Sequence, residues 1–140
     1  MDASDEGYEI SSDPSRVDID VVWNFLRSAY WSPGVERDVV ERSIEGSTVF
    51  GLYDSGGEQA GFARLVTDGA TFAWLADLFV LEAHRGKGLG VRLAEAAVAE
   101  ADRLGLRQLM LATKDAHSVY ERFGFGAAPA DRYMVRRGQS

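Results

Sequence analysis

Residues 78–94 read LFVLEAHRGKGLGVRLA, and the fold turns on this stretch. Its first residues close an apolar run, TFAWLADLFVL at 71–81, that is rich in β formers and continuous enough for a central strand covered on both faces. Glycines then fall at 86, 88 and 90. Leu89, Leu93, Ala97, Ala101 and Leu104 follow at helical spacing, and Gly105 stands where a C-terminal cap belongs. A buried strand therefore runs through a glycine turn straight into a helix. The first turn of a helix has backbone N–H groups without internal partners, and they carry partial positive charge. Glycine lets an anion approach such a backbone without side-chain obstruction. The arrangement is a cradle for phosphate or pyrophosphate.

Outward from this stretch the period changes twice. On the N-terminal side, TVFGLY at 48–53 and QAGFARLVT at 59–67 read as strands, separated by the turn Ser55-Gly56-Gly57. Asp68-Gly69 is the strongest hairpin signal in the chain. Further upstream, Ile19, Val22, Trp23, Leu26 and Tyr30 mark one apolar helix face, stopped by Ser32-Pro33-Gly34. Residues 35–44 read as a second, shorter helix, and residues 8–11 as a short strand. On the C-terminal side, residues 106–112 read as a strand and residues 115–123 as a helix capped by Asp115. Residues 132–136 read as a last strand.

The glycine turn excludes two nucleotide motifs. A triphosphate-binding loop needs Gly, four residues, then Gly-Lys-Ser/Thr; here Leu81 takes the first glycine position and Gly88 follows the lysine. The dinucleotide pattern Gly-x-Gly-x-x-Gly meets Val91 or Leu93 where its third glycine belongs. What the turn contains is Arg-x-x-Gly-x-Gly, met by Arg85, Gly88 and Gly90. Downstream, residues 116–125 read AHSVYERFGF: an alanine, a tyrosine four residues on, and a Gly-Phe ending. These two stretches and the order of elements resemble the GNAT superfamily of acetyl-CoA-dependent N-acetyltransferases, over nearly the whole chain. The resemblance implies an α/β (α+β) acyl-CoA N-acyltransferase fold, with a mixed, largely antiparallel central sheet and helices on both faces. It implies direct transfer of an acetyl group from acetyl-CoA to a primary amine of a small molecule or protein. A homodimer is common in the family. The alternative on the same fold is a non-catalytic acyl-CoA-binding sensor or regulatory module.

The resemblance also implies roles. The pyrophosphate of CoA would lie on backbone amides of Gly86, Lys87, Gly88, Leu89 and Gly90, with Arg85 opening the motif. The pantetheine arm would pair with the end of the strand at Leu78, Phe79 and Val80. Tyr120 stands at the position of the acid that protonates the leaving thiolate, and is itself among the cofactor contacts. Thr113 stands where the family often has an asparagine against CoA. Lys87 and Arg92 are further candidates for the phosphates.

Other candidates come from the residues themselves. Asp77 is a carboxylate inside an apolar strand, where an unpaired charge is costly; it is the candidate base, or else the partner of an arginine such as Arg64 on the neighbouring strand. Glu82 could act through water or be a solvated loop charge. His117 shares a helix face with Tyr120 and is a candidate substrate contact or a surface residue. Tyr30 and Trp31 are candidate walls of an acceptor pocket, suited to a cation. Trp23 belongs to an apolar stripe, and Trp74 to the core or a dimer contact.

Composition bounds these readings. One hundred and forty residues, 46% hydrophobic, suffice for one domain over 1–140 with a core of about 8–136. The absence of cysteine removes disulfides and thiolate chemistry, and two histidines make a structural zinc unexpected. Residues 1–8 lack the basic start and apolar run of a signal peptide, and no stretch approaches a membrane span. The expected location is cytoplasmic. A net charge of −7 argues against nucleic acid. It aids solubility and weakly favours a cationic acceptor.

Overall fold

Five strands, β1 (Glu9–Ser11), β2 (Thr48–Tyr53), β3 (Gln59–Thr67), β4 (Phe72–Val80) and β5 (Gln108–Met110), form one sheet in that spatial order. β1 to β4 pair antiparallel. β5 runs parallel to β4, because the connection between them is a helix and not a hairpin. The structure is a computed structural model and describes residues 7–138. Residues 1–6 and 139–140, which include most of the N-terminal stretch read above as lacking a signal peptide, lie outside the described residues.

Helices cover both faces of the sheet, as expected. α1 (Ile19–Leu26) and α2 (Arg37–Glu45) bury Val22, Leu26, Val40 and Ile44 against Val49, Phe62 and Phe79. α3 (Leu89–Leu104) lays Leu89, Leu93 and Ala97 on Phe50, Leu52, Leu65 and Leu75 of the opposite face. Asp18 caps α1 by accepting from the N–H groups of Asp20 and Val21. Gly105, at φ 70°, ends α3 with its N–H on the carbonyls of Ala101 and Asp102. The short α4 (His117–Glu121) follows β5.

A bulge in β4 positions the site. Phe62 pairs with Phe79 and Arg64 with Ala76, so Ala63 alone faces Asp77 and Leu78. Asp77 takes the extra place at φ 55°, the one positive φ outside glycine among the described residues. Aspartate enters this region more readily than most side chains. The bulge resets the alternation: Leu75 packs toward α3, whereas Phe79 packs toward α1 and α2. Past the pair Trp74–Met110 the ladder between β4 and β5 stops, and the two chains part.

Several expected elements differ. β4 is not central; β3 is, and β4 leaves Phe72 and Trp74 exposed at its start. The first helix stops at Leu26 and does not reach Tyr30. Three-residue turns from Phe25 and Leu26 replace helical bonds there, and the Ser32 hydroxyl takes the Leu26 carbonyl at 2.7 Å. β5 is three residues long because its neighbour diverges. Asp115 does not cap α4; Ala116 is the cap residue, and its N–H donates to Thr113 Oγ1 at 3.1 Å. Residues 132–136 form no strand. A turn from Pro129 to Arg132 leads into them. Among the described residues they meet β5 only through a side chain, Gln108 Nε2 lying 3.2 Å from Tyr133 Oη, and make no ladder with its outer edge; Met134 and Val135 stand in solvent.

Candidate active site

The parting of β4 from the chain after β5 opens a cleft of about 1300 Å³. One end is the turn 85–90. Gly86 and Gly88 sit at φ 83° and 75°, where only glycine is unstrained. No protein atom lies within 4 Å of where a Cβ would stand at either. Gly88 is the residue before α3, and no side chain caps that helix. The first described backbone bond to Gly88 O comes from Arg92, so the N–H groups of Leu89, Gly90 and Val91 face the cleft without a helical acceptor. This is a fit for a diphosphate: open donors, a positive helix end and no side chain in the way. Arg85 folds back, its Nε donating to the Val80 carbonyl at 2.9 Å, and so ties the turn to the end of β4.

Lys87 is placed elsewhere. It does not line the cleft; its Nζ lies 3.3 Å from Tyr8 Oη and 5.4 Å from the ring centroid. Tyr8 Oη is also 2.7 Å from His84 Nδ1. One arrangement satisfies all three: the lysine donates to the phenol oxygen, and the phenol donates to an unprotonated Nδ1. Tyr8 thus staples the turn to the segment leading into β1. Sequence reasoning missed both Tyr8 and His84. A partner 76 residues away leaves no local signal.

The middle of the cleft holds Leu78 and Val80, half-buried against the α3 side, and the buried Phe79. Across the gap stand Thr113, engaged with Ala116 N–H, and Tyr120. The Tyr120 ring meets Phe125 edge-on, with centroids 5.7 Å apart. Burial pushes its phenol above the ordinary value, with a smaller push from Tyr30. Tyr120 therefore stays protonated, and no protein hydrogen bond to its hydroxyl is described. His117, three residues earlier, does not line the cleft.

The far end is walled by Phe25, Tyr30, Trp31 and Trp74. Phe25 stacks on Phe79 at 4.0 Å and meets Trp31 at 6.1 Å. Here the bulge presents Asp77. Its Oδ2 accepts from Arg64 Nε at 2.7 Å, and its Oδ1 from the Trp31 indole at 2.8 Å. The ion pair with Arg64 foreseen as the alternative for Asp77 is thus formed. Each carboxylate oxygen keeps a lone pair free, so the pairing positions Asp77 without exhausting it. Glu82 is exposed in a single 3₁₀ turn and is not part of the lining. Among the described residues no acidic, cysteine or histidine cluster could hold a metal, and no helix is long and apolar enough to cross a membrane.

A sheet split at its fourth strand, with a glycine turn and uncapped helix end at one mouth, is the architecture of an acyl-group transferase. The sequence pattern of the Acetyltransferase (GNAT) family matches residues 8–125, and the chain belongs to that family. A crystal structure of a protein assigned to the same family from Xanthomonas campestris pv. campestris superposes with a TM-score of 0.86 at 38% identity. It covers 94% of this chain and 92% of that one. The uncharacterised N-acetyltransferase YjgM of Escherichia coli K12 is 32% identical over 126 residues, 87% of this chain and 65% of that protein. A protein of Gibberella zeae with an acetyltransferase name, FG08082, is 30% identical over 102 residues, 59% of this chain and 58% of the other. The chain therefore spans about three fifths of the length of these curated relatives.

Proposed function

We propose that this acetyltransferase uses acetyl-CoA and transfers the acetyl group directly to a primary amine. The observation that carries the reading is the row of free N–H donors at the α3 end, opening on the same cleft as a protonated, unpartnered Tyr120. When bound, acetyl-CoA supplies a thioester whose C–S bond breaks as the C–N bond forms. The turn 86–90 holds the diphosphate. The open edge of β4 beyond Trp74 takes the pantetheine arm along Leu78, Phe79 and Val80, with Thr113 opposite.

Two proton movements fall to the chain. Tyr120 faces the leaving sulfur. A phenol held above about 10, against an ordinary thiol near 8.5, donates fully only uphill. Its contribution is a hydrogen bond that strengthens as negative charge grows on sulfur. Asp77 accepts a hydrogen bond from the incoming ammonium, and the proton leaves through it or a water beside it. Trp31 and Arg64 hold that carboxylate in place. The incoming ammonium loses two protons in all as the amide forms: one is released to solvent, and the other is balanced by the proton the leaving sulfur gains.

Calorimetry with acetyl-CoA, ATP and NAD, followed by a thiol-release assay over a panel of amines, tests this. Acetyl-CoA binding with thiol release only when an amine is present is the expected result. ATP or NAD binding without acetyl-CoA binding would overturn it.

A further inference from the structure

We infer that the acceptor is a free α-amino acid with an apolar or aromatic side chain, recognised as a zwitterion by the Asp77–Arg64 pair. This rests on the amine-acetylating reading above and narrows it.

The net charge of the chain, −7, pulls toward a polycation. The lining of the cleft does not share that sign: Arg64, Arg85, Lys114 and Arg137 face only Asp77 and Asp115. Arg85 belongs to the phosphate end. At the acceptor end Arg64 is balanced by Asp77, while Lys114 Nζ stands 5.3 Å from the centroid of the Tyr30 ring. A polyamine would meet repulsion there, while a ligand with one anionic group beside its amine would not.

Arg64 supplies the point of recognition. It is largely withdrawn from solvent, with its side chain 19% exposed. Nε is committed to Asp77 and Nη1 to Ser47 Oγ at 3.0 Å. Nη2 has no partner among the described residues. In a planar guanidinium one N–H of Nη2 runs parallel to the Nε–H bond. A ligand acceptor on that donor therefore sits beside Asp77. The two functions come together within the reach of one α-carbon: Asp77 for the ammonium, Arg64 Nη2 for the carboxylate. Ser47 and Asp77 fix the fork, so little ordering remains to be done on binding. The side chain of the ligand then lies among Tyr30, Trp31 and Trp74.

The test compares L-phenylalanine, phenethylamine (the same ring and amine without the carboxylate) and spermidine. Binding is read by quenching of tryptophan fluorescence, since Trp31 and Trp74 line the cleft. Turnover is read as released thiol. Phenylalanine should exceed phenethylamine roughly 10- to 100-fold in both readouts, the range of a charge-assisted hydrogen bond. Arg64→Lys keeps the charge and loses the fork. It should bring that ratio close to one in the binding readout, whatever it does to the rate with either amine, since Arg64 also holds Asp77. Phenethylamine or spermidine binding as well as phenylalanine would overturn the inference, as would an unchanged ratio in the folded variant. Calorimetry with acetyl-CoA on the same sample separates the two failures. If acetyl-CoA binds and an amine is acetylated without this preference, the function stands and the acceptor class falls.

Discussion

At the scale of single residues, chemistry and support are separable by experiment. Tyr120→Phe removes the hydroxyl and keeps the ring packed on Phe125. We expect kcat to fall by about 10²–10⁴-fold with acetyl-CoA affinity nearly unchanged, because the hydroxyl acts mainly in the transition state. In the proposed role the protonated phenol is the active form, and burial raises its titration. The alkaline loss of activity that Tyr120 controls should therefore fall above pH ~10 and vanish in the phenylalanine variant; a limb that survives in the variant would assign it elsewhere. Tyr8→Phe is the opposite case. It loses the bonds to His84 and Lys87 but leaves the cleft lining intact. Steady-state kinetics should show a several-fold higher KM for acetyl-CoA at constant kcat, the signature of lost binding organisation. A fall in kcat alone would show that the staple does not act through the phosphate turn.

Elements set where those residues stand. The start of α3 is built for an anion, so Gly88→Glu puts a carboxylate and a strained positive φ at the cradle. Calorimetry should find acetyl-CoA binding nearly abolished, with a circular dichroism spectrum still native. The β3–β4 hairpin gives a second handle. Asp68 accepts from the N–H groups of Ala70 and Thr71 at 2.9 and 2.8 Å and from the Thr71 hydroxyl at 2.6 Å. The Thr71 hydroxyl, then these N–H groups, hold its carboxyl well below the usual carboxylate range. A depressed folded pKa contributes stability that is full above the unfolded value near 4 and is lost as pH falls below it. Melting curves at pH 6 and pH 3 should show a smaller acid loss in Asp68→Ala than in the parent chain. Equal losses would place the acid sensitivity in other carboxylates.

For the whole molecule, the sheet is held from both sides by cores that meet at β3. Phe62 is fully buried between α1, α2 and Phe79, and Phe62→Ala should cost about 3–5 kcal/mol in urea unfolding. Against a total of roughly 5–15 kcal/mol, that is a large share. A cost under about 1 kcal/mol would mean that the helices collapse into the gap.

The sequence carried those parts whose cause is local. The helix stripe of α3, its Gly105 cap, the strands at 48–53 and 59–67 and the glycine turn depend on neighbours a few residues apart. Their positions follow from periodicity and backbone freedom. Tyr120 was singled out by the resemblance of residues 116–125 to the family's second signature, and it lines the cleft. What the tertiary structure decided has long-range causes. The bulge that turns Asp77 out of the strand needs β3 beside it, and the composition of 71–81 reads as an uninterrupted strand. The diversion of Lys87 to Tyr8 joins residues 79 apart. The strand expected at 132–136 would have needed a ladder with the outer edge of β5, and among the described residues only the side-chain contact of Tyr133 with Gln108 is made there. A strand is completed by its partner, and a charge in a strand acquires its meaning from the residue across from it. Neither is written in the local sequence.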